Sequence, residues 1–164
     1  MSAARVRPSS RVLVLDRQQR VLLLGSRGHA PAPGTAVQWW YTPGGGVEDG
    51  EDLRSAAVRE LAEEIGLQVA PADLEGPVWF RRYQSAWGAE TVDSRETYFV
   101  LRDVDHQVDP SGRTAEELAE DEPHRWWTLA EVVGGAAVFA PRELAVVLPR
   151  VLDGPWAGPP RIVD

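Results

Sequence analysis

Residues 45–67 read GGVEDGEDLRSAAVRELAEEIGL, and both the fold and the chemistry turn on this stretch. Its second half is rich in Ala, Leu, Glu and Arg, opens on Glu51 and Asp52, and stops at Gly66. That composition predicts a helix over residues 52–65, with acids at its positive end and a glycine to end it. At about 100° per residue, Glu60, Glu63 and Glu64 stand at i, i+3 and i+4 and share one face. Leu53, Ala57, Val58, Leu61 and Ile65 occupy a neighbouring arc that is expected to pack on a sheet. Three adjacent carboxylates repel one another, and no apolar core requires them. A hard divalent cation does: Mg²⁺ or Mn²⁺ takes oxygen ligands and keeps positions open for water and phosphate. Glu-rich helices are also ordinary solvated faces, so the acids alone do not decide.

The spacing around them decides. Gly45, then Glu51, then Arg59-Glu60-Leu61, Glu63-Glu64, Gly66 and Leu67 fill every specified position of GX5EX7REUXEEXGU, with U aliphatic. From average residue usage, a chance match at a given start is on the order of 10⁻⁹. The segment resembles the Nudix box, and the chain resembles the Nudix hydrolase superfamily. The resemblance implies an α+β fold in which a mixed β-sheet is sandwiched between helices. It implies that Glu60, Glu63 and Glu64 bind metal, Glu60 and Glu64 foremost, with the Gly45 carbonyl as a backbone ligand. Arg59 and Glu51 match positions that orient the acids by ion pairing. The implied reaction is metal-dependent hydrolysis of a pyrophosphate bond in a nucleoside diphosphate linked to another moiety, with water attacking phosphorus. Some families use a base outside the box. Here Glu116, Glu117, Glu120, Asp121 and Glu122 precede Arg125-Trp126-Trp127, and Glu122 is the candidate. A solvated acidic turn is the plainer reading of that segment. MutT-type members place an acid directly before the tryptophan, where this chain has Arg125, so Glu64 stays open as the alternative base.

Outward from the box, residues 11–16 and 21–25 are short β-branched and leucine-rich runs about a polar turn, a predicted hairpin. Residues 26–36 form a Gly-, Pro- and Ala-rich loop, either a surface connection or a substrate-lining segment. Residues 38–41 predict a strand ended by Pro43 and three glycines. Residues 78–83 and 96–104 predict two more strands, with 84–95 as the loop between them. Residues 114–120 suggest a short helix and 125–128 a short strand. A last helix is expected from Pro141, with Leu144, Val147, Leu148, Val151 and Leu152 on one face and Pro149 kinking or splitting it. The first ten residues are expected to be a disordered arm, 11–153 one domain, and 154–164 an irregular tail.

Composition narrows the function classes. At 164 residues, 43% hydrophobic and 26% charged, the chain has the makeup of a soluble globular domain. All 17 basic residues are arginine, which excludes Schiff-base and Walker lysines. Cysteine is absent, so there is neither a disulfide framework nor a thiolate zinc site. A net charge of −8 argues against bulk nucleic acid and anionic membranes as partners, and requires cations to mediate any contact with phosphate. No apolar run suits a signal peptide or a membrane helix, so the expected location is cytoplasmic and the partner a small nucleotide. A homodimer is compatible with this reading.

Substrate clues are sparser. Trp39, Trp40, Tyr41, Trp79, Phe80, Tyr83, Trp87, Trp126 and Trp127 are candidates to stack a base, although aromatic residues in strands are usually core. Trp39, Tyr83 and Trp127, with Arg81, are the expected substrate contacts. Tyr83 stands sixteen residues beyond the box, an offset that resembles the tyrosine of dinucleoside polyphosphate hydrolases. Arg82 stands near where an ADP-ribose-type proline would fall. Arg81 and Arg82 read as phosphate ligands or as plain strand-end charges. The histidines His29, His106 and His124 lack metal-ligand spacing. The rival classes are an RNA 5′-end pyrophosphohydrolase, disfavoured by charge, and a non-catalytic nucleotide sensor, disfavoured by the complete acid set.

Overall fold

The computed structural model describes residues 4–28, 32–87, 90–120 and 122–164. His29, Asp121, the middle of the 26–36 loop and the tip of the 84–95 segment lie outside the described residues.

A long strand, β1 (Arg5–Asp16), is the spine of the molecule. It turns back into β2 (Val21–Ser26) at a corner held by Asp16, which accepts from Gln18 N, Arg20 N and Arg20 Nε. Strands β3 (Trp39–Tyr41) and β4 (Gly44–Gly46) then lead into helix α1 (Leu53–Ile65). The hairpin of β5 (Glu75–Trp87) and β6 (Glu90–Val104) follows. A short helix α2 (Ala115–Ala119), strand β7 (His124–Trp127), helix α3 (Leu129–Gly134), strand β8 (Phe139–Ala140), helix α4 (Leu144–Leu152) and strand β9 (Arg161–Val163) complete the order. Among the described residues the strands join in one mixed sheet, β8-β3-β2-β1-β6-β5-β9, with β4 on β1 and β7 on β2. Strand β1 runs parallel to β6 and antiparallel to β4.

Two-residue alternation explains why helices cover both faces. Val12 and Val14 of β1, Leu22 and Leu24 of β2, and Phe99 and Leu101 of β6 point to one side, where Ala57, Leu61 and Ile65 of α1 meet them. The intervening Leu13, Leu15, Val21, Leu23, Tyr98 and Val100 point to the other, against Leu144, Val147, Leu148 and Val151 of α4. A near-continuous apolar run is what a strand buried on both faces requires. The result is an α+β sandwich with α1 on one face of the sheet and α4 on the other.

Several boundaries differ from expectation. Strand β1 begins at Arg5, within the predicted arm, because Arg5 to Arg11 align in register with Val92 to Tyr98 of β6. Main-chain pairing orders a stretch whose exposed side chains give no hydrophobic signal. The predicted 84–95 loop is mostly strand, with Gln84 to Trp87 paired to Asp93 to Glu90. The tail carries β9, which pairs with β5 through Trp79, Phe80 and Arg81. Helix α4 runs through Pro149 without a break. A proline inside a helix costs about 3 kcal/mol, but each of the helix's four buried aliphatic side chains returns roughly 1.5–3. Helix α3 was not anticipated, and Leu53 is exposed rather than packed.

Candidate active site

Local chemistry fixes the box helix at both ends. Asp52 caps the N-terminus of α1, its carboxylate accepting from Arg54 N and Ser55 N. Gly66 adopts a left-handed conformation (φ 70°), and Gly66 N and Leu67 N donate to Ala62 O and Leu61 O. Any side chain at Gly66 would also strike Asp109.

The preceding glycines bring backbone against carboxylate. Gly44 takes φ +139°, and a Cβ there would lie 2.1 Å from Ser10 O. A Cβ on Gly45 would fall 2.3 Å from Glu60 Oε1. Only glycine allows β4 to lie between β1 and α1 at this spacing. In return, Gly44 N donates to Glu64 Oε2 at 2.7 Å.

Arg59 organises the outer edge. It grips Glu51 with two bonds of 3.0 Å, reaches Glu60 Oε1 at 2.9 Å and Glu63 Oε2 at 3.4 Å, and donates to Gly46 O at 2.8 Å. Glu63 stays on this outer, solvent-facing side, its side chain about half exposed. The structure therefore separates it from Glu60 and Glu64, which line a cavity of about 400 Å³. Among the described residues, no three acidic or histidine side chains close into a metal-holding cluster as they stand. Glu63 as a metal ligand was the sequence expectation that this geometry does not bring into the cavity.

Electrostatics distinguish the remaining acids. Burial pushes the Glu64 carboxyl up to about 8, helped by the charges of Glu60 and Glu122 and opposed by Arg11 and the Gly44 N–H. Glu60 is also raised by burial, against the pull of Arg59. Glu122 lines the same cavity and is raised by burial, with Tyr41 and Arg113 acting to lower it. These three carboxyl groups are reluctant to be anions without a cation nearby.

Sequence reasoning missed the other end of the cavity. Arg11, largely buried, donates to Gly44 O at 2.7 Å and to Glu96 Oε1 at 2.9 Å. Glu96 also receives Arg81 at 3.2 Å and the Tyr98 hydroxyl at 2.8 Å. Burial would raise Glu96, but Arg11 and Arg81 outweigh it and hold the carboxylate below its ordinary range. Arg81 lies over the Tyr83 ring at 4.5 Å, and both line the cavity with Trp39. Arg82, on the other face of β5, pairs with Asp93 instead. Trp127 is the exception among expected substrate contacts. It is core, edge-on to Trp40 and Phe139, because its position in β7 turns it to the α4 side. His106 bonds Ile65 O, and His124 is lowered by partial burial, with Arg113 adding to the effect; neither lines the cavity. Arg7 lines the cavity beside Gly46 and pairs with no described acid. Arg7, Arg11 and Glu96 were invisible in sequence because strand register alone brings them together; the alternation of Glu96 with Tyr98 was the one available hint.

Comparison with known proteins places this architecture. The NUDIX domain profile matches residues 5–150. Nudix hydrolase 25 of Arabidopsis thaliana is 29% identical over 142 residues, covering 80% of this chain and 77% of that protein. An RNA pyrophosphohydrolase of Sphingopyxis alaskensis is 28% identical over 134 residues, covering 77% and 80%. The crystal structure of a MutT protein from Methanosarcina mazei Go1 superposes with a TM-score of 0.60 at 19% identity, covering 94% of this chain and all of that one. The last likeness concerns fold alone.

Proposed function

Because this chain belongs to the NUDIX domain family, we propose that its cavity hydrolyses a pyrophosphate bond in a nucleoside diphosphate joined to another group. The observation that carries the reading is the packing of Glu60 and Glu64 against the Gly44–Gly46 backbone in one cavity with Glu122.

The residues suit a divalent cation. Glu60 and Glu64 are oxygen donors whose burial is unfavourable unless positive charge arrives, and one Glu64 oxygen bonds Gly44 N while the other is left for a ligand. Glu60, Glu64 and the Gly45 carbonyl would hold Mg²⁺ or Mn²⁺, with Glu63 as an outer acid beside Arg59. Such an ion supplies charge neutralisation on the diphosphate and acidifies water.

The chain's own groups do the rest. Arg59 holds Glu60 and ties it through Gly46 O to the glycine strand, with Glu51 fixing Arg59 in turn. Arg7, which pairs with no described acid, offers its guanidinium to a phosphate in the cavity. Glu122 takes a proton from the attacking water, since Glu64 is committed to Gly44 N and to the cation. Trp39 and Tyr83 offer ring surface to the nucleoside. Attack at phosphorus releases a nucleoside monophosphate and a phosphorylated remainder, or pyrophosphate from a triphosphate.

One relative's name favours a second reading, removal of pyrophosphate from an RNA 5′ end. The net charge of −8 disfavours contacts along an RNA backbone. A panel of nucleoside triphosphates, dinucleoside polyphosphates, nucleotide-linked sugars and 5′-triphosphorylated RNA, with and without Mg²⁺, separates them. Turnover of small nucleotides only with metal is expected. Preference for RNA would install the second reading, and full activity in chelator would end both.

A further inference from the structure

One buried side chain joins the end of the box helix to the acid-bearing segment before β7. Residues 106–113 close the C-terminus of α1: Asp109 N donates to Ile65 O at 2.9 Å, and His106 Nε2 bonds the same carbonyl at 2.7 Å. Gly112 lies so close to the helix that a Cβ on it would fall 2.9 Å from Glu63 O. Arg113, buried, is thereby set against the last turn. Its Nε donates to Glu64 O at 2.9 Å, and its Nη1 donates to Glu122 O at 3.1 Å. The first bond satisfies a carbonyl the helix end would leave orphaned, and puts positive charge at the negative end of the helix dipole. The second bond is no part of that cap.

Arg113 and Glu122 stand nine positions apart with α2 between them, and Glu117 and Glu120 of that stretch line the cavity with Glu122. The Nη1 bond therefore closes a short loop that carries three of the cavity's acids. Downstream, the register of β7 on β2 holds the chain: Gly25 N donates to Pro123 O at 2.7 Å, and His124 pairs with Leu24. That register relates Glu122 to the sheet, while α1 meets the sheet through apolar contacts such as those of Leu61 and Ile65. Apolar contacts are non-directional; two hydrogen bonds from one planar guanidinium are not. Stability alone does not account for a guanidinium at this place, since its Nη2 is buried without a partner, which is unfavourable.

We propose that Arg113 is a positioning residue: it yokes the main chain of Glu122 to that of Glu64, and so holds the proton acceptor at a set distance from the box carboxylates. This role rests on Glu122 being the proton acceptor. Lysine keeps the charge and reaches one carbonyl, but a single ammonium lacks the rigid fork that spans both. Arg113→Lys should lower kcat about 10-fold with KM changed less than about twofold, the signature of a displaced group rather than lost binding. The Mn²⁺ affinity of the nucleotide-free chain should stay within about twofold, because Gly66 N, Asp109 N and His106 still cap α1.

A double-mutant cycle on the Mg²⁺-loaded full chain tests it, with Tm and Mn²⁺ affinity measured for each variant. Glu122→Gln alone should cost kcat about 100-fold or more, and adding Arg113→Lys to it should cost less than about twofold further. If the two losses multiply, or if Mn²⁺ affinity falls along with kcat, Arg113 serves the box helix alone, and the proposal is wrong while the role of Glu122 stands. An Arg113→Lys variant as active as the parent overturns it equally. If Arg113→Lys does not fold, Arg113→Gln, with a neutral amide in place of the fork, is read by the same cycle. If Glu122→Gln stays within a few-fold of the parent, the reading of Glu122 falls and this proposal with it.

Discussion

Helix α4 covers one face of the sheet with Leu144, Val147, Leu148 and Val151 turned inward. Helix α1 covers the other with Ala56, Ala57, Leu61 and Ile65, and with the carboxyl group of Glu64. Both pack on the same strands, α4 together with Val132 of α3, but only α1 surrenders stability at its contact. Ala56 and Ala57 bury little area, which lets α1 come close enough for Glu60 to meet the Gly45 backbone. A buried acid whose ionisation is resisted then takes a place where an aliphatic side chain would fit. The site therefore costs stability on the α1 face, and the apolar α4 face offsets that cost.

The comparison breaks first at α4. Leu148→Ala should cost about 2–5 kcal/mol in denaturant unfolding, through lost burial and a residual cavity. Turnover per folded molecule should change less than about twofold. A kcat loss as large as that of a box mutant would mean the faces are not divided in this way.

Glu64→Gln should do the reverse. A drop in kcat of about 100-fold or more is expected in a Mg²⁺-dependent assay. Its stability effect has a sign that follows from the raised carboxyl. The folded state holds the Glu64 proton more tightly than the unfolded chain, so metal-free stability is lost as pH rises from about 4.5 to about 8. Glutamine has no proton to lose. Metal-free Glu64→Gln should therefore have a higher Tm than the parent at pH 8.5, and a flatter Tm profile between pH 5 and 8.5. An equal slope in both proteins would remove the claim that Glu64 is strained by burial.

Gly45→Ala tests the close approach itself. The added carbon falls 2.3 Å from Glu60 Oε1, so the carboxylate must swing away. Displacing a reacting group by about 1 Å can cost about 100-fold, and a kcat loss of about 10- to 100-fold is expected with the circular dichroism spectrum unchanged. Unaltered activity would show that Glu60 has no fixed place. The smallest effect belongs to Asp52→Ala, which removes the helix cap: about 1 kcal/mol in stability, measured by urea unfolding, with kcat nearly unchanged.

What was legible in the sequence followed the same division. The strands that bury both faces, and α1 with its cap and its terminal glycine, announce themselves through local pattern: Leu22 to Leu24 as a continuous run, Asp52 and Gly66 as boundary residues. The box acids were legible because one helix carries them at fixed spacing. The first residues of β1, the paired part of 84–95 and β9 gave no such signal, since their order comes from main-chain pairing with partners far along the chain. The same holds for the site. Arg11 and Glu96 meet across 85 positions, and Arg113 reaches Glu64 across 49. Trp127 misled for the opposite reason: an aromatic beside an acidic segment reads as a ligand contact until the register of β7 shows which face it takes.

The position of the broken bond separates attack at phosphorus from attack at carbon. Hydrolysis of a nucleoside diphosphate conjugate in ¹⁸O-labelled water, with mass spectrometry of both products, locates the attack. The cavity that joins Glu60, Glu64 and Glu122 to Arg7 is suited to a diphosphate bridge, so label should appear on one phosphate product and on no sugar or other carbon-linked hydroxyl. Nucleoside monophosphates, which have no second phosphoryl group to engage the site, should be inert. Label entering at carbon, or monophosphates as the best substrates, would contradict pyrophosphate hydrolysis by this site.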